Sequence, residues 1–149
     1  KTSEIFSQQL KARGIDLVWD LADHLPPIRA DANRLEQVFI NLLINARDAI
    51  EEKVQANPHL KGQKKIYLSS RRRDNFVQVE VRDSGRGIPR ALIGKIFEPF
   101  FTTKEVGRGT GLGLSISYQI VQDFGGTIRA QSREGEGSTF CISFPASAG

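Results

Sequence analysis

The sequence has one cysteine and no methionine among its 149 residues. It also has no apolar run near the roughly 20 residues that a membrane-spanning helix needs. The lone cysteine, Cys141, excludes an internal disulfide framework and favours a reducing compartment; its alternating neighbours predict a small core residue in a strand. The missing methionine, even at position 1, indicates a piece of a longer protein. We therefore expect a cytoplasmic domain that makes no membrane contact. Whether the parent protein has an inner-membrane anchor elsewhere stays open.

Positive charge is in excess but scattered along the sequence. The net charge is +4 and the isoelectric point is near 9.5, which raises nucleic acid as a partner. The densest basic run, Arg71, Arg72 and Arg73, is followed at once by Asp74, and no aromatic residues interleave with the basic ones. The sequence therefore predicts no nucleic-acid partner.

Hydrophobic periodicity predicts an α+β domain. A helix over 1–13 ends at Gly14, and Asp31 caps a long helix over 32–54. Alternation of Ile15, Leu17, Trp19 and Leu21 predicts a half-buried strand. The other strands are predicted at 65–72, 76–82, 127–132 and 138–144, with further helices at 90–97 and 112–124 and a mobile loop at 100–113.

The long helix carries a polar stripe beside its apolar one. Asparagine is a mediocre helix former, so two of them one turn apart require a reason. Either the stripe is a solvated face, or the carboxamides line a pocket and offer oxygen to Mg²⁺. The stripe consists of Arg34, Asn41, Asn45, Asp48 and Glu52.

Three further segments carry candidate chemistry. Asp83, Gly85 and Gly87 follow a strand, where a carboxylate suits an exocyclic amine, although an ordinary turn uses the same residues. The glycine-rich run 107–114 leads into a helix, and its free backbone N–H groups suit phosphate oxygens. Three phenylalanines within 97–101 fit a lid hinge, core packing, or both.

Taken together, these segments resemble the nucleotide-binding domain of sensor histidine kinases, within the gyrase, chaperone, histidine kinase and mismatch-repair ATPase superfamily. Residues 41–46 resemble its N box, 83–87 its G1 box, 97–101 its F box, 109–114 its G2 box, and 135–140 its final glycine-rich strand motif. The resemblance implies the Bergerat fold, a two-layer α/β sandwich of a mixed five-stranded sheet on three helices. It also implies ATP and Mg²⁺ as cofactors.

The resemblance also implies a role for each matching residue. Asn45 would bind Mg²⁺, with Asn41 and Asp48 near the phosphates, and Asp83 would take the adenine amine, with Thr139 beside the base or a bound water. Gly85 and Gly87 would admit the base next to Ile88 and Leu112. Phosphate contacts would come from the lid and the helix start: Thr103, Lys104, Arg108, Gly109, Gly111 and Gly113. Phe97 and Leu114 would also contact the nucleotide.

One departure from the family pattern, and one difference from related hydrolases, shape the expected chemistry. Asp48 stands where many histidine kinases have a basic residue, which is typical of the nitrogen-regulation and dicarboxylate-sensing subgroup, so Lys104 or Arg108 would supply phosphate charge. Related hydrolases have a glutamate base at the position of Asn41, which favours phosphotransfer over hydrolysis. The alternatives are an ATPase, a serine kinase of the anti-sigma type and a non-catalytic nucleotide-sensing module.

The phosphoacceptor histidine is expected outside this chain. His24 and His59 lie beside prolines in predicted loops, not in the helical context that the family uses. The resemblance implies residues 1–14 as the end of a connection from an upstream dimerisation hairpin, 15–146 as the ATP-binding catalytic domain and 147–149 as a tail. The expected partners are that histidine-bearing dimerisation domain and a response regulator receiver domain, and the fragment itself is expected to be monomeric.

Overall fold

Five strands form one mixed sheet in the order β1-β2-β3-β5-β4. The computed structural model describes residues 8–22, 31–60, 64–98 and 113–146. Strand β1 runs parallel to β2, and every other neighbouring pair is antiparallel. The strands are β1 Asp16–Leu21, β2 Lys65–Arg73, β3 Phe76–Asp83, β4 Thr127–Arg133 and β5 Gly137–Pro145.

In the described ranges, three α-helices pack with this sheet, which confirms the predicted α+β class and the mixed five-stranded sheet. They are α1 (residues 8–12), α2 (Ala32–Ala56) and α3 (Gly113–Asp123). The predicted short helix at 90–97 is a 3-10 helix over Arg90–Lys95, and a second one spans Pro58–Leu60. Within the described ranges, no helix is both long and apolar enough to cross a membrane.

Helix α2 begins and ends where its capping residues require. The side chain of Asp31 accepts hydrogen bonds from the backbone N–H groups of Asn33 and Arg34, which stabilises the helix start by about 1 kcal/mol. Asn57 is the C-cap, and Pro58 cannot continue the helical hydrogen bonding. The helix therefore runs two residues past the predicted end at position 54.

The core lies between the helices and one face of the sheet. Leu42 and Ile50 of α2 are 1% exposed, and they join Val121 of α3 and Ile142 and Phe144 of β5 in one apolar cluster. Each such side chain contributes roughly 1.5–3 kcal/mol on burial. Leu10 of α1 also belongs to this cluster and is fully buried. The residues just before β1 therefore pack onto the domain.

The opposite face of the sheet carries no described helix, and we call it the uncovered face. Strand alternation assigns residues to it: along β5, Ser138, Phe140, Ile142 and Phe144 are buried, whereas their neighbours are partly exposed. On the four antiparallel strands β2, β3, β5 and β4, the charged side chains of the uncovered face are Lys65, Arg71, Arg73, Glu80, Arg82, Arg129 and Arg133.

Two sequence predictions about packing were wrong. Cys141 does lie in a strand, but on the half-buried uncovered face and not in the core, where partial burial raises the pKa of its free thiol. Strand β1 was predicted to be half-buried along its length, yet Trp19 is 55% and Leu21 56% exposed. Among the described strands, β1 has β2 as its single neighbour and forms an edge of the sheet. Leu17, together with Ile15 just before the strand, packs against the core.

Candidate nucleotide site

The last residue of β3 is a buried carboxylate. Asp83 is 4% exposed, and its Oδ1 accepts a hydrogen bond of 2.8 Å from the backbone N–H of Gly85. Burial raises the pKa of Asp83 to about 6, and the backbone hydrogen bonds from Gly85 and Ser138, together with the nearby Lys53 ammonium, act against that rise. A carboxylate kept out of water with acceptor capacity is suited to binding an amine or amide donor.

The turn after Asp83 is fixed to helix α2. The backbone N–H of Arg86 donates to the carbonyl of Ala49 at 3.2 Å, and the Arg86 side chain pairs with Glu52 at 2.5 Å. The ammonium of Lys53 donates to the carbonyl of Ser84 at 3.2 Å. Three residues of one helical segment therefore hold the backbone next to Asp83.

The same turn is also fixed to the sheet. Ser84 exchanges two hydrogen bonds with Lys65 at the start of β2, one through its backbone and one through its hydroxyl. The backbone N–H of Ile88 donates to Ser132 Oγ at 2.6 Å, and that of Gly135 donates to the carbonyl of Arg86. The turn thus has fixed contacts with α2, β2 and the β4–β5 hairpin.

The glycines of this turn are required by close packing. A Cβ at Gly85 would lie 2.7 Å from the backbone and side chain of Ala49. Gly87 has φ +73°, and a Cβ there would lie 2.1 Å from the carbonyl oxygen of Arg133. The two glycines therefore let the turn approach α2 and β4, and their predicted contact with a base stays a prediction.

The two asparagines occupy the middle of α2. Asn41 is half-buried, and its Nδ2 donates to the hydroxyl of Ser117 on α3 at 3.2 Å. Asn45 is half-buried one turn further along, and Asp48, also half-buried, pairs with Arg47 at 3.0 Å. With a rise of 1.5 Å per residue, Asn41 lies about 12 Å along the axis from Ala49. The helix therefore presents carboxamides at its middle and contacts the Asp83 turn with its last turns.

The polar stripe of α2 serves several purposes. Arg34 pairs with Asp123 at 2.7 Å and lies over the ring of Phe124, so it joins α2 to the end of α3. Glu52 holds the turn after β3 through Arg86. The prediction of a pocket lining therefore concerns Asn41, Asn45 and Asp48, whereas the ends of the stripe make structural contacts.

Other predicted site residues pack around the same region. Phe97 contacts the rings of Tyr118 and Phe140, with centroids 5.5 and 6.4 Å away, so core packing is part of its role. Ile88 and Leu114 are half-buried against the core, and Gly113 is the first residue of α3. The predicted residues Thr103, Lys104, Arg108, Gly109, Gly111 and Leu112 lie outside the described part of the chain, as does His24.

Thr139 is placed on the other side of the sheet from the Asp83 carboxyl. It lies in register between Arg82 and Gln131 on the uncovered face. Asp83 and Thr139 both line a cavity of about 260 Å³ with Arg82, Gln131 and Arg133, but no α2 residue lines it. This cavity is therefore not the complete site that the asparagines and Asp83 would form.

Ser138 is the residue that sequence reasoning missed. Its backbone N–H donates to the Asp83 carboxylate, its side chain is 5% exposed, and its Oγ lies 2.9 Å from Ser132 Oγ. The signal was present, because Ser138 shares its strand face with Phe140, whereas Thr139 does not. Lys53 was also missed, although its spacing of four from Ala49 places it on the same side of α2.

The donor chemistry of α2 fits a hard cation. Among the described residues, no three His, Cys, Asp or Glu side chains cluster as a metal site. The carboxamide of Asn45 and the carboxylate of Asp48, three positions apart on one helix face, are the oxygen donors that Mg²⁺ takes alongside substrate phosphates.

Comparison with known proteins gives consistent matches. Residues 30–148 match the family described as histidine kinase-, DNA gyrase B-, and HSP90-like ATPase. The chain is 43% identical over 92% of its length to the sensor kinase CckA of Brucella abortus, covering 15% of that protein. It therefore spans a small part of this curated relative.

Solved structures show the same fold. The nucleotide-free catalytic domain of histidine kinase ThkA has a TM-score of 0.77 and 36% identity, over 96% of this chain and 88% of that one. Full-length ShkA in complex with AMPPNP has a TM-score of 0.78 and 28% identity, over 98% of this chain and 29% of that one.

Proposed function

The chain belongs to the histidine kinase-, DNA gyrase B-, and HSP90-like ATPase family, and we propose that it is the ATP-binding catalytic domain of a sensor histidine kinase. The observation that carries this proposal is the buried Asp83 carboxylate, held by backbone N–H groups beside the end of α2. The same helix presents Asn41 and Asn45 along its middle. An elongated ligand with an amine at one end and phosphates at the other fits this order.

Adenine would bind at the Asp83 end. The carboxylate accepts a hydrogen bond from the exocyclic amine, and the fixed turn 84–88 limits how the base can be oriented. Guanine has a carbonyl oxygen in place of that amine, which would oppose the carboxylate. The site therefore selects ATP over GTP.

The phosphates would lie over the middle of α2. Asn45 would hold Mg²⁺ with Asp48 close by, and Asn41 would contact phosphate oxygens. When bound, Mg²⁺ neutralises phosphate charge and orients the terminal phosphoryl group. Further cations and backbone donors would come from Lys104, Arg108 and the glycines at 109, 111 and 113. Phosphoryl transfer requires positioning and charge neutralisation, and these residues supply both.

The residues of α2 favour a histidine over water as the acceptor. Asn41, at the position where related hydrolases have a base, carries no proton-accepting carboxylate. Glu36 lies nine residues from Asn45, about 13 Å along the helix, and its Oε1 is buried. The acceptor would be on a separate dimerisation domain of the parent protein, and a response regulator receiver domain would take the phosphoryl group next.

Transfer of labelled phosphate tests this function. The chain is mixed with γ-labelled ATP, Mg²⁺ and the histidine-bearing helical domain of its parent protein. We expect label on that domain in an acid-labile, alkali-stable bond, and no label with Asp83→Asn. Label released only as free phosphate would make the chain a hydrolase, and label in an acid-stable bond would make it a serine kinase.

A further inference from the structure

The uncovered face gathers arginines that are scattered in the sequence. Along β2 and β4, alternate residues point to this face, so positions 71, 73, 129 and 133 share it although more than 50 residues separate the two strands. Six basic side chains and one carboxylate, Glu80, stand there on the four antiparallel strands. Strand β1 adds two carboxylates, Asp16 and Asp20, to the same face, since both alternate with Leu17, which packs against the core. The face therefore carries twice as many basic as acidic side chains.

Little of this charge is neutralised locally. Arg71 lies 3.8 Å from Glu80, and Arg133 lies 3.8 Å from Glu136, with side chains 58% and 85% exposed for the two arginines. Exposed pairs at that distance contribute at most about 1 kcal/mol and are screened by salt. Both guanidinium groups therefore remain able to pair with carboxylates from outside.

Neighbouring side chains order two of the guanidinium groups. Arg82 lies over the ring of Tyr67, 5.1 Å from its centroid, and Arg71 Nε donates to Gln78 at 3.1 Å. Strands β2 and β4 are three strand spacings apart, and Arg129 lies two residues along β4 from the position opposite Arg71, so the two lie about 16 Å apart across the face. Ordered, planar donors at this spacing fit several carboxylates on a broad surface better than one small anion.

We infer that the uncovered face docks an acidic protein surface. The face has five arginines to one lysine, and arginine is enriched at protein interfaces whereas lysine is depleted. Its exposed large apolar side chains are Phe76 at one end of β3 and Val18 on the edge strand β1, which gives little to insert into a lipid surface. Tyr67 lies under Arg82, so its ring is not open for stacking on a nucleic-acid base.

The face lies beside the candidate nucleotide site. Arg82 precedes Asp83 directly, and the carbonyl of Arg133 contacts Gly87 in the turn that holds Asp83. An acidic partner on this face would therefore lie one sheet thickness from the Asp83 carboxylate. This inference does not depend on the acceptor of the phosphoryl group.

Charge reversal on two strands of the face, β2 and β4, tests the docking surface. Fluorescent poly-L-glutamate serves as the acidic probe, and anisotropy measures its binding to wild type, to the double variant Arg71→Glu with Arg129→Glu, and to the matched double variant Lys11→Glu with Lys95→Glu. The two doubles change net charge equally, and Lys11 and Lys95 lie exposed outside the sheet. Thermal unfolding confirms that each variant is folded.

We expect salt-dependent binding that falls at least about 10-fold in the arginine double and less than about 2-fold in the lysine double. Equal losses in the two doubles would overturn the inference, because net charge alone would explain the binding. The same holds if short duplex DNA or phosphatidylglycerol vesicles bind more tightly than polyglutamate at equal ionic strength and depend on the same arginines.

Discussion

The two halves of the candidate site are built differently. The half around Asp83 is held by backbone and side-chain contacts to α2, β2 and the β4–β5 hairpin. The half around Asn41 and Asn45 depends on the position of these side chains along one helix. The Asp83 half is therefore held in place by the fold itself. We expect this half to provide selectivity for the base, and we expect the asparagine half to provide binding that depends on Mg²⁺.

The largest expected effect comes from breaking the packing of the Asp83 half. In Gly87→Ala the new methyl group would overlap the carbonyl of Arg133, and φ +73° is unfavourable for alanine. We expect unfolding free energy to fall by roughly 2–4 kcal/mol, measured by chemical denaturation.

Two other glycines serve as controls that separate the effect of steric overlap from the effect of a positive φ. Gly135→Ala has φ +84° but nothing within 4 Å, so it should lose only about 1 kcal/mol. Gly94→Ala has neither constraint and should be close to neutral. If the Gly87 variant were no less stable than the Gly135 variant, close packing against β4 would not fix the turn.

The second largest expected effect is a loss of ATP affinity when the hydrogen-bond acceptor for the base is removed. Asp83→Asn removes the charge that accepts the amine, and hydrogen bonds to charged groups contribute about 1.5–3 kcal/mol, so affinity for ATP should fall at least about 10-fold. Calorimetric titration measures this. The fold should persist, since the variant also removes a buried charge. Unchanged ATP affinity would contradict the assignment of Asp83 to the base.

A smaller loss of ATP affinity, confined to conditions with Mg²⁺, is expected from a change in the asparagine half of the site. Asn45→Ala should weaken ATP binding by about 10-fold when Mg²⁺ is present and leave binding in chelator nearly unchanged, because the lost carboxamide acts through the cation. Comparing titrations with and without Mg²⁺ measures this. Asn33→Ala, near the exposed start of α2, is the control. An equal loss in chelator would remove Asn45 from the metal site.

The smallest effect is a shift with pH. The pKa of Asp83 is raised to about 6 from an ordinary value near 3.8, so the folded state holds a proton that the unfolded state lacks between those values. Stability should therefore fall as pH rises from about 4 to 6. ATP affinity should weaken below about pH 6, because protonation removes the acceptor.

A variant at Lys53 tests the cause of this pH dependence. Its ammonium lowers the pKa of Asp83, so Lys53→Met should move the midpoint of the affinity profile to higher pH, whereas Lys95→Met should not. Titrations of ATP affinity across pH for both variants measure the shift. A midpoint that stays in place in Lys53→Met would show that Lys53 holds the turn without acting on Asp83.

Periodicity and capping predicted the elements to within a few residues. The Asp31 cap, the α2 stripe and the alternation of β5 each depend on local physics that a sequence displays directly. Strand β1 shows the limit: alternation predicts which side chains share a face, but the order of strands decides whether that face is covered. Trp19 and Leu21 are exposed for that reason.

For the candidate site, the sequence predicts residue types better than it predicts the contacts that those residues make. Asp83, Asn41 and Asn45 were proposed as site residues because they are unusual residue types in or next to regular elements, and their roles stay predictions. Glycine is required at position 87 because of a carbonyl group on β4, more than 40 residues away in sequence. No local sequence pattern contains that contact. Predicting which residues share the uncovered face also requires the strand register, because its arginines come from separate strands.

The most direct test of the account is a crystal structure of the chain with Mg²⁺ and a non-hydrolysable ATP analogue. The account predicts the adenine amine within hydrogen-bonding distance of the Asp83 carboxylate and Mg²⁺ on the Asn45 side-chain oxygen, with the phosphates along the middle of α2. Adenine bound away from Asp83, or phosphates at the end of α2 next to Glu52, would contradict it.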